Sequence, residues 1–243
     1  MEELVVGVRK LGIEVDIESQ KLFKLYYQEL LVWNNKINLT AIIDYKAVQL
    51  KHFLDSLTVI SVITEEELAN PHLNIIDIGT GAGFPGIPLK IILPQVRLTL
   101  LDSTAKKTAF LDHIVKKLQL LDVDVVVGRA EEVAHLPVYR QQFDLVVSRA
   151  VAPMSTLIEL TLPFCRIGGR LVAYKKGKIE EEMEKANKAI GIMGGKFARM
   201  EKMDIEELGK ERYLVVVEKI RSTPEKYPRR IGMPTRRPIG KYK

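Results

Sequence analysis

The sequence has 243 residues, of which 47% are hydrophobic and 28% charged, and its formal net charge is +6. This composition excludes extensive disorder and a chain that is basic throughout. Residues 221–243 hold eight Lys or Arg side chains and one acid, so this segment alone carries +7 and the other 220 residues sum to −1.

The single cysteine, Cys165, excludes an intramolecular disulfide, and the four scattered histidines give no zinc-ligand spacing. No apolar run approaches the roughly 18 residues that span a bilayer, and the charged N-terminus does not fit a signal peptide. We therefore expect a cytoplasmic protein that uses no metal and contacts no membrane.

Apolar residues recur at helical spacing from Glu18 to Ile63, which predicts an N-terminal helical region at residues 1–70. The run 34–38, Asn-Asn-Lys-Ile-Asn, interrupts this spacing with residues that favour turns and caps. His52 and Asp55 are three residues apart and share a helix face. This pair either packs the N-terminal helices against the domain that follows them through a hydrogen bond or contacts the functional site or its ligand.

The apolar period changes near Leu73, where β-branched runs begin to alternate with longer amphipathic stretches. Five runs are strand candidates: LNIIDIG, VRLTLLD, VDVVVG, QFDLVVSRA and GGRLVAYKK. Two later runs, KFARMEKMDI and ERYLVVVEKI, are joined by a loop too short for a crossover helix, which predicts an antiparallel pair. The pattern predicts an α/β domain at residues 71–220, with a mostly parallel sheet covered on both faces.

The first strand runs directly into a glycine-rich turn, Gly79-Thr80-Gly81-Ala82-Gly83-Phe84, which a helix follows. Glycines in such a turn let the backbone approach a ligand closely. A tight turn without a ligand is the alternative. Asp77, just before the turn, is a candidate contact for the amino-acid end of a cofactor.

Asp102 ends the second strand, about 20 residues after the turn, where nucleotide-binding folds place a carboxylate on ribose hydroxyls. Ser103 follows it, and capping of the next helix is the alternative role for Asp102. The dinucleotide fingerprint fails because its third small residue falls on Phe84, and no Gly-Lys-Ser/Thr follows to make a Walker loop. A nucleoside cofactor without phosphates remains, of which S-adenosylmethionine is the common one. The exit of the third strand at 128–132 would border its adenine.

Six segments in this order resemble the RsmG (GidB) family of bacterial 16S rRNA methyltransferases: WNNKINLTAI, KHFLDSL, DIGTGAGFPGIPLKI, GRAEE, SRAVAP and GGRLVAYKK. The likeness covers about residues 22–220. It implies a class I S-adenosylmethionine-dependent methyltransferase fold, Rossmann-like, with a mostly parallel seven-stranded sheet, an antiparallel last strand and an N-terminal helical extension. It also implies methylation of N7 of guanosine 527, in the 530 loop of 16S rRNA, with S-adenosylhomocysteine as product and the rRNA or a small-subunit precursor as partner.

The resemblance also assigns site residues. Gly79, Phe84, Ala130, Glu131 and Arg149 fall at its cofactor positions. Lys175 matches a basic residue near the end of the strand after SRA, but Tyr174-Lys175-Lys176-Gly177 replaces the usual Leu-Lys-Gly, so either lysine fits that role. The predicted catalytic residues are Arg149 and Lys175, and the predicted cofactor contacts are Asp77, Gly79, Gly81, Gly83, Phe84, Asp102, Ser103, Ala130, Glu131 and Arg149.

The chemistry of guanine N7 is consistent with these residue types. N7 carries an in-plane lone pair, so its methylation needs no base, and positioning supplies most of the acceleration. Arg149 is expected to hold guanine O6 or the cofactor, with an ion pair to Asp144 or Glu131 as the alternative. Cys165 is expected to be a buried structural thiol and not the nucleophile of a pyrimidine C5 enzyme.

The segment 221–243 contains four prolines and is predicted to be neither helix nor central strand. It combines cations with two rings, Tyr227 and Tyr242, a mixture suited to RNA phosphates and unpaired bases. Disordered arginine-rich segments order on RNA, and a solubilising tail is the alternative. The predicted RNA contacts are Arg229, Arg230, Arg236 and Arg237.

Two classes of function follow from the sequence. The favoured one is an rRNA guanine-N7 methyltransferase, acting as a monomer. The rival is a non-catalytic RNA-binding factor for ribosome assembly that keeps a nucleotide-like pocket. A methyltransferase for another RNA site is a third possibility.

Overall fold

The computed structural model describes residues 1–209 and 211–240, except for the side chain of Glu207. These residues form two compact units, the first made of Met1–Leu73, Thr80–Val127 and 204–209, and the second of Asn74–Gly79, Gly128–Met203 and 211–240. The division at residues 70 and 220 stays a prediction. No helix in the described ranges is long and apolar enough to cross a membrane.

Seven strands form one sheet in the order β3-β2-β1-β4-β5-β7-β6. Their bounds are β1 Asn74–Ile78, β2 Arg97–Asp102, β3 Val123–Val127, β4 Phe143–Arg149, β5 Cys165–Lys176, β6 Gly195–Lys202 and β7 Arg212–Lys219. In the first unit β2 pairs with β3 in parallel. In the second, β1 and β5 flank β4 in parallel, whereas β7 runs antiparallel to both β5 and β6. The predicted mostly parallel sheet with an antiparallel last strand is confirmed.

The start of β5 differs from the prediction, which placed it at Gly168. Cys165 already pairs with Phe143, and the register then shifts before Leu145 pairs with Arg170. Gly168 lies within this irregularity at φ +84°, a conformation that glycine adopts without strain. The strand therefore continues through the glycines instead of beginning at them.

The first unit is helical up to residue 69, as the apolar spacing predicts. Its elements are α1 Glu2–Arg9, α2 Ile17–Ile37, α3 Tyr45–Val48, a π-helical turn Gln49–Leu54, α4 Asp55–Leu57, a 3-10 turn Thr58–Val62, α5 Glu65–Ala69, α6 Gly86–Ile92, α7 Ala105–Lys117 and a 3-10 turn Glu206–Leu208. Its core contains five buried rings, whose centroids lie within 6.5 Å of one another along a chain of contacts: Phe23, Tyr26, Phe53, Phe84 and Phe110.

Helix α2 continues past the asparagines that were expected to interrupt it. It ends at Asn38, which has φ +49°, a left-handed conformation that asparagine tolerates at a helix end. The Asn34 side chain accepts a hydrogen bond from Thr40 N–H at 2.8 Å, so it stabilises the turn that follows the helix. The cap signal was correct only for the last asparagine of the run.

The second unit adds four helices around its strands: α8 Ala130–Val133, α9 Met154–Thr161, α10 Glu180–Ile192 and α11 Met233–Arg236. Helix α9 is buried along its whole length.

We call residues 221–240 the C-terminal arm. The expectation of a disordered tail without helix is wrong for the arm, because it packs against the second unit and contains α11. Thr223, Pro228, Pro234 and Ile239 are buried. Pro234 is compatible with α11 because it lies in the first turn, where its missing N–H costs no hydrogen bond. Tyr242, predicted to stack on bases, lies outside the described residues, with Lys241 and Lys243.

Candidate functional site

The glycine turn after β1 uses backbone conformations that other residues avoid. Gly79, Gly81 and Gly83 have φ values of +71°, +63° and +94°. Thr80 N–H donates to Leu101 O at 3.1 Å, and α6 starts directly after the turn. The predicted order of strand, glycine turn and helix is confirmed.

The three glycines have different surroundings. A Cβ atom on Gly79 would lie 2.5 Å from Val151 Cγ2, and one on Gly83 would lie 2.7 Å from the Tyr26 hydroxyl oxygen. At Gly81, apart from its chain neighbours, no atom of the described chain lies within 4 Å of the Cβ position. Packing therefore requires the first and third glycines, whereas Gly81 borders open space where a ligand can approach the backbone.

Asp102 connects this turn to the end of β2. Its Oδ2 accepts from Gly81 N–H at 3.0 Å, and its Oδ1 accepts from Thr104 N–H at 2.9 Å. Lys107 Nζ lies 3.8 Å from Oδ2. A carboxylate offers about four acceptor positions, so Asp102 can hold the turn and the start of α7 and still accept from a hydroxyl group. Ser103, the next residue, is exposed.

Tyr26 supports the glycine turn from α2, a role that sequence reasoning missed. Its hydroxyl group donates to the Ala82 carbonyl oxygen within the turn. Its ring packs on Phe84, with centroids 5.4 Å apart. The available signal was a tyrosine among leucines on the buried face of a helix, because a buried hydroxyl group needs a partner.

His52 and Asp55 belong to the core of the first unit. The His52 ring stacks on Phe84 with centroids 4.5 Å apart, and its Nε2 lies 2.8 Å from Thr40 Oγ1. Asp55 is 4% exposed. These contacts place the imidazole beside Phe84, which ends the turn, and the hydrogen bond between His52 and Asp55 stays a prediction.

In the second unit, Asp77 is fully buried in β1 and pairs in register with Val147 of β4. Ala130 begins α8, and Glu131 lies in its first turn. Glu131 Oε1 accepts from Gly232 N–H of the C-terminal arm at 3.0 Å. Cofactor contact by these residues stays a prediction, and the contact between Glu131 and the arm was not foreseen.

Arg149 and Lys175 lie at the carboxyl ends of the adjacent strands β4 and β5, where Arg149 pairs in register with Tyr174. Lys175 Nζ donates to Ala152 O at 2.8 Å and to Glu182 Oε1 at 2.5 Å, and its side chain is only 11% exposed. Lys176 is exposed. The structure therefore holds Lys175 in a defined position, and which of the two lysines has the predicted role stays a prediction.

Asp144, the alternative ion-pair partner for Arg149, is paired with another arginine. Arg166 Nε donates to Asp144 Oδ1 at 2.5 Å, and Asp144 Oδ2 accepts from Asn74 N–H at 2.8 Å. Both carboxylate oxygens thus have partners at the amino end of β4. Arg149 lies at the opposite end of the strand, and its predicted contact with the guanine or the cofactor stays a prediction.

Cys165 is fully buried, as expected, and burial raises the pKa of its thiol to about 12. A thiol with that pKa is protonated near neutral pH and is a poor nucleophile. The residue therefore belongs to the core and not to a reactive centre.

We expect Cys165 in the folded protein to resist alkylation by iodoacetamide at pH 8 and to react rapidly in urea, where burial is lost. Mass spectrometry of the labelled peptide measures both rates. Rapid labelling without denaturant would contradict the assignment.

The four arginines predicted to bind RNA have two different surroundings. Arg229 Nε and Nη2 donate to the two carboxylate oxygens of Glu159, at 2.8 and 2.6 Å, and Glu159 is fully buried. Arg230, Arg236 and Arg237 are exposed. Arg229 thus holds the arm, and RNA contact stays a prediction for the other three.

Comparison with protein families gives a match over residues 19–214 to the model described as rRNA small subunit methyltransferase G. A protein of Dehalococcoides mccartyi named ribosomal RNA small subunit methyltransferase G is 50% identical over 240 residues, which are 98% of this chain and all of the relative. Proteins of the same name from Roseiflexus castenholzii and Lactobacillus acidophilus are 44% and 42% identical, again over 98% of this chain and over 100% and 98% of theirs.

Solved structures support the fold alone. A SAM-dependent methyltransferase from Aquifex aeolicus aligns with a TM-score of 0.52 at 17% identity, covering 85% of this chain and all of the other. TYW2 of M. jannaschii, solved in complex with AdoMet, aligns with a TM-score of 0.51 at 19% identity over 64% of this chain and 74% of that one.

Proposed function

The chain belongs to the rRNA small subunit methyltransferase G family, and from this we propose that it methylates N7 of guanosine 527, in the 530 loop of 16S rRNA. S-adenosylmethionine is the proposed methyl donor and S-adenosylhomocysteine the product. We also propose that the enzyme works as a monomer in the cytoplasm. The observation that carries the proposal is the open space at the Cβ position of Gly81, a residue whose N–H donates to the Asp102 carboxylate.

The residues around this turn fit the proposed cofactor. A side chain at Gly81 would fill the space that the glycine leaves, and Asp102 keeps acceptor positions for ribose hydroxyl groups. Ser103 and Phe84 are the other proposed contacts in the first unit. In the second unit the proposed contacts, which rest on the family resemblance, are Asp77, Gly79, Ala130, Glu131 and Arg149.

Bound S-adenosylmethionine supplies a methyl group activated by a sulfonium. N7 would accept this methyl group with its own lone pair and the electrons of the C–S bond would stay on sulfur, so no residue of the chain has to remove a proton. The enzyme must therefore align the guanine, and positioning of this kind lowers a barrier by several kcal/mol. We assign the alignment to Arg149 and Lys175, with Lys175 oriented by Glu182 and Ala152 O.

The decisive experiment is incubation of the protein with methyl-labelled S-adenosylmethionine and either naked 16S rRNA or small subunits that lack the modification, followed by mapping of the label. We expect one label at guanosine 527. We expect Arg149→Ala to lose at least about 100-fold in rate, because truncation removes one charged contact of the transition state. Arg97→Ala, which removes an exposed arginine at the start of β2, is the matched control and should transfer normally.

Two results would contradict the proposal. Label at another nucleotide would change the substrate, and no label with either RNA form would remove the enzyme function. In the second case, titration calorimetry with S-adenosylhomocysteine would show whether the chain binds the cofactor at all or is the non-catalytic alternative.

A further inference from the structure

The C-terminal arm is attached at its start by buried and half-buried cations. Arg140, which precedes β4, donates from its guanidinium to the arm carbonyls of Thr223, Pro224 and Tyr227 at 3.0 to 3.2 Å. Lys219 Nζ, fully buried, donates to the Thr223 hydroxyl oxygen. These contacts fix the first part of the arm beside the amino end of β4.

The middle of the arm is held by the ion pair of Arg229 and Glu159. Besides the two guanidinium bonds, Arg229 N–H donates to Glu159 Oε1 at 2.9 Å. Arg229 Nη2 also donates to Arg237 O at 2.8 Å, so the same side chain fixes a later part of the arm. A buried carboxylate with a charged, multidentate partner holds that partner in one geometry.

The far part of the arm reaches the other end of the strands. Thr156 Oγ1, in the first turn of α9, donates to Pro234 O at 3.1 Å. Helix α9 begins five residues after Arg149, the last residue of β4. Helix α11 is therefore fixed at the carboxyl end of the parallel strands, the end at which Arg149 and Lys175 lie.

The far part of the arm carries positive charge and no acid of its own. Residues 228–240 contain no acidic residue. With Arg229 committed to Glu159, three arginines remain exposed: Arg230, Arg236 and Arg237. Guanidinium groups suit phosphates, because both charge and donor geometry match.

We infer that the C-terminal arm is a preformed docking surface for single-stranded RNA, built by the Arg229–Glu159 ion pair, and that it holds the phosphates flanking the base that is methylated. This inference rests on the proposed function. It differs from a disordered tail that orders on RNA, because the arm is already in place and its arginines lie at the end of the sheet where the reaction is proposed.

The test compares two triple variants that remove the same charge. The arm variant is Arg230→Gln, Arg236→Gln, Arg237→Gln, and the matched control is Lys196→Gln, Arg199→Gln, Lys202→Gln, on the exposed edge strand β6. Binding of a 16S rRNA fragment that contains the 530 loop is measured by fluorescence anisotropy between 50 and 300 mM salt. Affinity for S-adenosylhomocysteine is measured by calorimetry as a readout of folding.

We expect the arm variant to bind the fragment at least tenfold more weakly. The slope of log affinity against log salt should become shallower by about 2, because each of the three lost phosphate contacts contributes roughly 0.7 to it. The control should stay within twofold, and both variants should bind S-adenosylhomocysteine like the parent. Equal losses in the two variants, or an unchanged slope in the arm variant, would overturn the inference. Failure of the parent protein to methylate the RNA would instead refute the proposed function.

Discussion

Gly81→Ala is expected to weaken S-adenosylmethionine binding at least about 100-fold while the protein stays folded. A methyl group there meets no atom of the described chain within 4 Å, chain neighbours aside, so it would project into the space that we assign to the cofactor. A loss of 100-fold corresponds to about 2.8 kcal/mol of binding free energy. Titration calorimetry with S-adenosylhomocysteine measures the loss, and thermal denaturation reports the stability.

Gly12→Ala is the matched control for this variant. Gly12 also has a positive φ, +71°, and a Cβ position with no described atom within 4 Å apart from its chain neighbours. Both substitutions should therefore cost similar backbone strain, about 1 to 2 kcal/mol of stability. Only Gly81→Ala should change cofactor affinity, and equal affinities in the two variants would remove Gly81 from the site.

Arg229→Ala is expected to destabilise the protein by about 3 to 5 kcal/mol, the usual cost of leaving one partner of a buried ion pair alone. The reason is that the Glu159 carboxylate is fully buried and receives three hydrogen bonds from Arg229. Urea denaturation followed by circular dichroism measures the change in the free energy of unfolding.

Arg236→Ala separates this effect from the loss of an arginine as such. Arg236 is exposed, so the substitution should change the stability by no more than about 0.5 kcal/mol. Glu159→Gln combined with Arg229→Ala should recover part of the loss, because a neutral amide is cheaper to bury than a carboxylate. Similar stabilities of the two arginine variants would show that the ion pair does not stabilise the fold.

The sequence predicts some parts of this structure better than others. The seven strands and the turn between β1 and α6 follow from local signals, namely β-branched runs, glycines and their spacing. Asp102 lies beside the turn, where a nucleotide-binding fold carries the carboxylate that ends its second strand.

The support of the turn and the position of the C-terminal arm depend on contacts between distant residues. Tyr26 and Ala82 are 56 residues apart, and Glu159 and Arg229 are 70 apart. The sequence does contain a signal for the second pair, since Glu159 follows Leu157 and Ile158 and is the one charged residue of α9. A lone acid of this kind predicts a buried partner, but its spacing does not say which of the basic residues supplies it.

The ion pair also affects the folding of a newly synthesised chain. Glu159 is translated 70 residues before Arg229. Domains fold as units during synthesis, so the Glu159 carboxylate lacks this cation until the segment that contains Arg229 has left the ribosome. A product truncated between the two residues would leave a carboxylate unpaired in the core, which makes that product a target for quality control.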